Sequence, residues 1–126
     1  MAINPLCTRY LIAAAACASL LTAAPAFAQM ESALRGKMFI AGKTVVDPPP
    51  REAKNTHAYI SITGNAAKRM YRTMRGRIQP NECRSDGWKM KTAGPLTCSI
   101  SRDGKKASCD FAISLVNGRS KDGQPC

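Results

Sequence analysis

The stretch His57–Gly76 reads HAYISITGNAAKRMYRTMRG, and a change of period inside it decides the fold. Ala58, Ile60 and Ile62 alternate with Tyr59, Ser61 and Thr63, the pattern of a strand with one buried face. Gly64 ends that pattern, and Asn65 is a residue type that caps helices. Ala67, Met70, Tyr71 and Met74 then recur at helical spacing up to Gly76, which stands where a left-handed residue closes a helix. A strand therefore runs straight into an amphipathic helix, and each needs cover for its apolar side.

Downstream residues supply that cover. Trp88 and Met90 alternate with Lys89 and Lys91, and Gly94-Pro95 makes a turn. Leu96, Cys98 and Ile100 then share one face of a strand, and Cys109, Phe111, Ile113 and Leu115 share one face of the next. Asp103-Gly104 between them is a two-residue hairpin signal, and Asn117-Gly118 ends the last strand. A helix lying on an antiparallel sheet is the simplest packing that buries all these groups, which makes the fold class α+β: a small antiparallel sheet with one amphipathic helix packed on it, braced by two disulfides. Upstream, Met38–Ala41 and Thr44–Val46 read as short strands around Gly42. Asp47-Pro48-Pro49-Pro50 reads as a linker or a sheet edge, because its prolines have no backbone donor. The expected organisation is an N-terminal arm and Pro-rich linker over residues 29–56, then a disulfide-bonded core over 57–126.

Residues 1–28 have the layout of a cleavable secretory signal: Arg9 as the only charge, an apolar run from Leu11 to Ala24, then Pro25 and Ala26-Phe27-Ala28. The run is shorter than the roughly 20 residues of a membrane-spanning helix. Cleavage would leave Gln29 first. The Ala-rich signal is bacterial in character, so the expected location is periplasmic or secreted, where disulfides persist. Four cysteines follow the signal: Cys83, Cys98, Cys109 and Cys126. None of them forms the close ligand pair of a zinc site, and the expectation is two disulfides. With Asp103 and Gly104 at the hairpin tip, Cys98 faces Cys109. That register puts Cys98–Cys109 and Cys83–Cys126 first among three open pairings. The second bridge would close a loop of about 40 residues, worth roughly 3–4 kcal/mol in the chain-entropy model.

Beyond residue 28 stand 18 Lys and Arg against 8 Asp and Glu, a net charge of +10 that favours anionic partners. The densest run is Lys68, Arg69, Arg72, Arg75 and Arg77, with no acid among them. On a helix reaching Gly76, Lys68, Arg72 and Arg75 would form one row, a candidate face for an anionic surface. The same row also suits an ordinary solvated helix face. His57 is the single histidine, and acid–base chemistry there would require a partner, for which Glu82 and Asp110 are the candidates. Met70, Met74 and Met90 offer thioethers to a soft metal, but at helical spacing they read more simply as core. No catalytic residue, metal site or cofactor is expected.

Ile60–Tyr71, together with Leu96–Cys98 and Ser108–Ile113, resembles segments of small exported proteobacterial proteins, a resemblance running from about Ile60 to Leu115. It implies export and carries no ligand, partner or site residue.

The functional expectation is a small basic periplasmic or secreted protein, a non-enzymatic binding module for an anionic envelope component. Lipid headgroups, lipopolysaccharide and cell wall are the candidates, with peripheral membrane contact. The alternatives are a small secreted nuclease-like hydrolase or toxin, and an inhibitor or accessory protein that binds another exported protein. Nucleic acid is disfavoured because Tyr71, Trp88 and Phe111 read as core-facing instead of as exposed stacking platforms.

Overall fold

A computed structural model describes residues 31–84 and 86–123, and among these residues seven strands and one helix follow one another. They are β1 Arg35–Ala41, β2 His57–Thr63, α1 Gly64–Thr73, β3 Gln79–Pro80, β4 Lys89–Ala93, β5 Leu96–Ile100, β6 Ala107–Ser114 and β7 Ser120–Lys121. The strands form one antiparallel sheet in the order β1-β2-β6-β5-β4-β3, and β7 pairs with the far end of β6. The fold is α+β, with α1 packed on the sheet. The secretory signal and the Cys83–Cys126 bridge both rest on residues outside the described ones.

Register explains which side chains meet. Ile62 pairs with Cys109 and Cys109 with Cys98, so these residues share the face on which α1 lies. Ala67 and Tyr71 of the helix are buried against Cys98, Ala107 and Cys109, with Ile62, Met70, Met74, Leu96 and Ile100 packed around them. The helical period read from Ala67, Met70, Tyr71 and Met74 is thus the core-facing stripe. Cys98 and Cys109 form a disulfide across the β5–β6 pair, with Cα atoms 4.0 Å apart. The hairpin centre is where the Asp-Gly signal puts it, but the loop is wider. Ser101 donates its amide to the Lys106 carbonyl, and the residues between them turn around Gly104, whose φ is +69°. The Asp103 carboxylate stabilises this turn by accepting from the Ser101 hydroxyl and the Lys105 amide. These two donors, with Ser101 the larger influence, hold the Asp103 carboxyl below its ordinary pKa.

Four features differ from the sequence reading. Residues 35–41 are not a loose arm: all seven pair with β2, and residues 42–56 are the loop joining these neighbours. Gly36 permits that pairing, since a Cβ there would stand 2.1 Å from the Ser61 carbonyl oxygen. Tyr59 belongs to a second buried layer and not to a solvated face. It is 2% exposed, its hydroxyl donates to the Gly42 and Lys43 carbonyls, and Phe39 stacks on its ring at 5.1 Å.

The helix also ends early. Met74 leaves it with extended backbone (ψ 132°), and Lys91 reaches from β4 to donate to the carbonyls of Tyr71 and Met74 at 3.0 and 2.9 Å. A lysine on the helix-facing side of β4 therefore closes the helix, where the alternation of Trp88 and Met90 suggested an apolar contact. Gly76 has no left-handed role. It allows close approach to β4, because a Cβ there would lie 2.8 Å from the Thr92 carbonyl oxygen. At the other end Thr63, not Asn65, occupies the N-cap position, and it makes no side-chain capping bond.

Candidate functional site

The early helix end changes the basic row. Lys68, Arg69 and Arg72 are on α1, while Arg75 and Arg77 lie in the segment beyond it. Arg69, Arg72, Arg75 and Arg77 are exposed and Lys68 is half-buried. Three residues of the expected anionic face share the helix, and the i, i+7 partner does not.

The face of the sheet opposite the helix carries a different basic site. Ser61 and Thr63 of β2 and Ser108 of β6 put three hydroxyls on this face, with Ser108 paired to Thr63. Arg84 and Trp88, which precede β4, stand at its margin, held there by Asn81. The buried Asn81 amide donates to the Ser99 hydroxyl at 2.8 Å and its side-chain oxygen accepts from the Cys83 amide, while its backbone bonds to Trp88 and Arg84. These bonds fix the loop that carries Arg84 and Trp88. The Arg84 guanidinium lies 4.3 Å over the Trp88 ring and donates to the Ser108 hydroxyl at 3.1 Å. Lys37 enters from β1, and Lys105 and Lys106 from the β5–β6 hairpin.

Together these groups line a cleft of about 610 Å³ formed by Gly36, Lys37, Ser61, Thr63, Gly64, Arg84, Trp88, Lys105, Lys106, Ala107 and Ser108. Four of these residues are cations and none is an acid. Trp88 and Lys106 also line an adjoining hollow with Asp86 and Asp103, so two carboxylates stand next to the cleft. Trp88 is half-buried in this cleft and is not part of the helix-facing core. Beside the cleft floor, Asp110 faces Ser61 across β2–β6 and is 8% exposed, with one carboxylate oxygen buried and unpartnered.

His57 lies elsewhere, in a hollow of about 450 Å³ that also includes Glu52, Arg119 and Lys121. Its Nδ1 is 2.8 Å from the Thr56 hydroxyl. Asp110 pairs with Ser61, four residues along β2 from His57, a separation of roughly 13 Å at strand rise. Glu82 follows Asn81 in the loop fastened to β5, beyond β6. Neither proposed partner meets the histidine. Glu52, which does share the hollow, is committed to the loop: the Thr44 amide, then the Thr44 hydroxyl and the Lys121 charge, hold its carboxyl below the ordinary range. Met90 pairs with Ser99 on the face away from Met70 and Met74, so the three thioethers do not converge. Among the described residues no group of three His, Cys, Asp or Glu is placed to hold a metal ion.

No family model, curated protein or solved structure matches the chain. The geometry of the cleft therefore stands alone as the guide to function. The disulfide between Cys98 and Cys109 adds one constraint, being compatible with an oxidising compartment.

Proposed function

We propose that this is an exported, non-enzymatic binding module that takes an anionic component of the bacterial envelope. One observation carries the reading: Lys37, Arg84, Lys105 and Lys106 converge from three separate segments on a cleft with no lining acid. Gathering like charges in a concave site is electrostatically unfavourable in the empty protein, and an anion relieves it. The exposed helix cations Arg69 and Arg72 add general attraction from the other side of the sheet. Export, read from residues 1–28, places such a protein where lipid headgroups, lipopolysaccharide and cell-wall polymers are the abundant anions.

The test is co-sedimentation of the purified protein with vesicles. Binding is expected to vesicles rich in phosphatidylglycerol and not to neutral phosphatidylcholine ones. It should be lost between 0.1 and 1 M salt, as the screening length falls from about 10 to about 3 Å. Equal binding to neutral and anionic vesicles, or no binding to anionic vesicles, lipopolysaccharide or cell-wall material, refutes the proposal.

A further inference from the structure

Resting on the binding-module reading, we infer that the cleft recognises a phosphate monoester carried on an organic body. The number and kind of donors argue for the monoester. A carboxylate or a phosphodiester brings a single negative charge to a cleft lined by four cations. A monoester brings about −1.5 to −2 at neutral pH and three terminal acceptor oxygens. The cleft can meet those oxygens from several sides, with the Arg84 fork, the ammonium groups of Lys37, Lys105 and Lys106, and the hydroxyls of Ser61, Thr63 and Ser108. Arg84 is already oriented by its bond to Ser108 and its seat on Trp88, so little of its freedom remains to be lost on binding.

Size argues for the organic body. A volume of about 610 Å³ is that of a small-molecule site and far exceeds a phosphate group. Trp88, Gly36 and Gly64 complete the lining together with the buried Ala107, and they offer an aromatic ring and uncharged surface beside the cations. Thr63 and Gly64 also put the uncapped start of α1 at the cleft margin, and no acid stands in its first turn. The buried Asp110 lies next to Ser61 and not among the lining residues, so it does not oppose the ligand directly.

Trp88 is the only tryptophan and lines the cleft, so tryptophan fluorescence reports on this region of the protein. The protein is titrated with glycerol phosphate, inorganic phosphate, and vesicles of phosphatidic acid or phosphatidylglycerol matched for surface charge. A saturable Trp88 response to the monoester probes is expected, stronger at pH 7.5 than at pH 5 because the second ionisation lies near pH 6. Response to glycerol phosphate assigns a soluble ligand, and response to phosphatidic acid alone assigns a lipid headgroup. Lys37→Gln and Lys106→Gln, both at exposed positions, should each weaken the response about tenfold, the equivalent of one charge-assisted hydrogen bond. Equal affinity for phosphatidic acid and phosphatidylglycerol, or vesicle binding with no Trp88 response, overturns the monoester assignment and leaves the binding module standing. No binding to any anionic probe overturns both.

Discussion

Replacing Lys91 by Met should destabilise the domain by about 2–3 kcal/mol, an effect too large for a surface lysine of no structural role. Lys91 donates to the carbonyls of Tyr71 and Met74 and sits 4.7 Å from the Tyr71 ring centroid. Hydrogen bonds from a charged donor are worth about 1.5–3 kcal/mol each, and a cation over a ring about 0.5–2 kcal/mol, the upper end where the pair is buried. The carbonyls freed in the variant lie near the helix end and recover water in part, which brings the net below the sum. Methionine keeps most of the stem and removes only the ammonium. In urea, with a slope of about 1–3 kcal/mol per M, the midpoint should fall by about 1–2 M at unchanged slope. Lys89→Met is the control, since Lys89 is exposed two residues away and makes no comparable bond; it should stay within about 0.5 kcal/mol of wild type. If the two variants shift alike, the lysine does not close the helix.

Four other outcomes follow from the same contacts. Gly36→Ala should loosen β1, because the added Cβ meets backbone at the Ser61 carbonyl; faster amide exchange across Arg35–Ala41 and the facing β2 amides would show it, and unchanged protection would contradict the register. Mapping without reduction should yield a peptide joining Cys98 to Cys109, and removing that bridge should cost about 3 kcal/mol by loop-closure entropy. Asn81→Ala should cost about 1–3 kcal/mol by stranding Ser99 and freeing the loop, with a change in Trp88 emission that a remote substitution would lack. Burial raises the Tyr71 phenol above its ordinary pKa, so its share of stability is complete below about pH 10 and is lost as pH rises through the folded value; Tyr71→Phe should remove that alkaline decline in denaturant midpoints, and an identical decline in the variant would show that Tyr71 is not its source.

The β2–α1 junction was legible because its periods differ, two residues for the strand and 3.6 for the helix, on either side of Gly64. The Cys98–Cys109 pairing was legible because a turn centred on Asp103-Gly104 sets the same register whether its loop has two residues or four. The burial of Tyr59 was not. It depends on the 42–56 loop folding back so that the Gly42 and Lys43 carbonyls meet the phenol, and alternation along β2 contains no record of that loop. The two-residue strands β3 and β7 are too short for any period. The cleft was illegible for a related reason. Lys37, Arg84, Lys105 and Lys106 are spread over most of the described chain, and only the sheet register joins them, whereas Lys68 to Arg77 is dense in sequence and therefore conspicuous. The hairpin was half the clue: Cys98 facing Cys109 places Lys105 and Lys106 at the β5–β6 turn, but only the antiparallel pairing of β2 with β6 brings that turn to the end of β2.

The central claim is that the anion site is the cleft and not the helix row, and two variants of equal net charge test it. Lys105→Gln/Lys106→Gln removes two cations from the cleft, and Arg69→Gln/Arg72→Gln removes two from the helix. Titration of both with phosphatidic acid vesicles at 0.1 M salt should show the cleft variant binding at least tenfold more weakly than wild type, and the helix variant within about twofold, since α1 lies on the opposite face of the sheet and salt screens its charges from a ligand held in the cleft. Equal losses in the two variants, or the larger loss in the helix variant, would contradict the account.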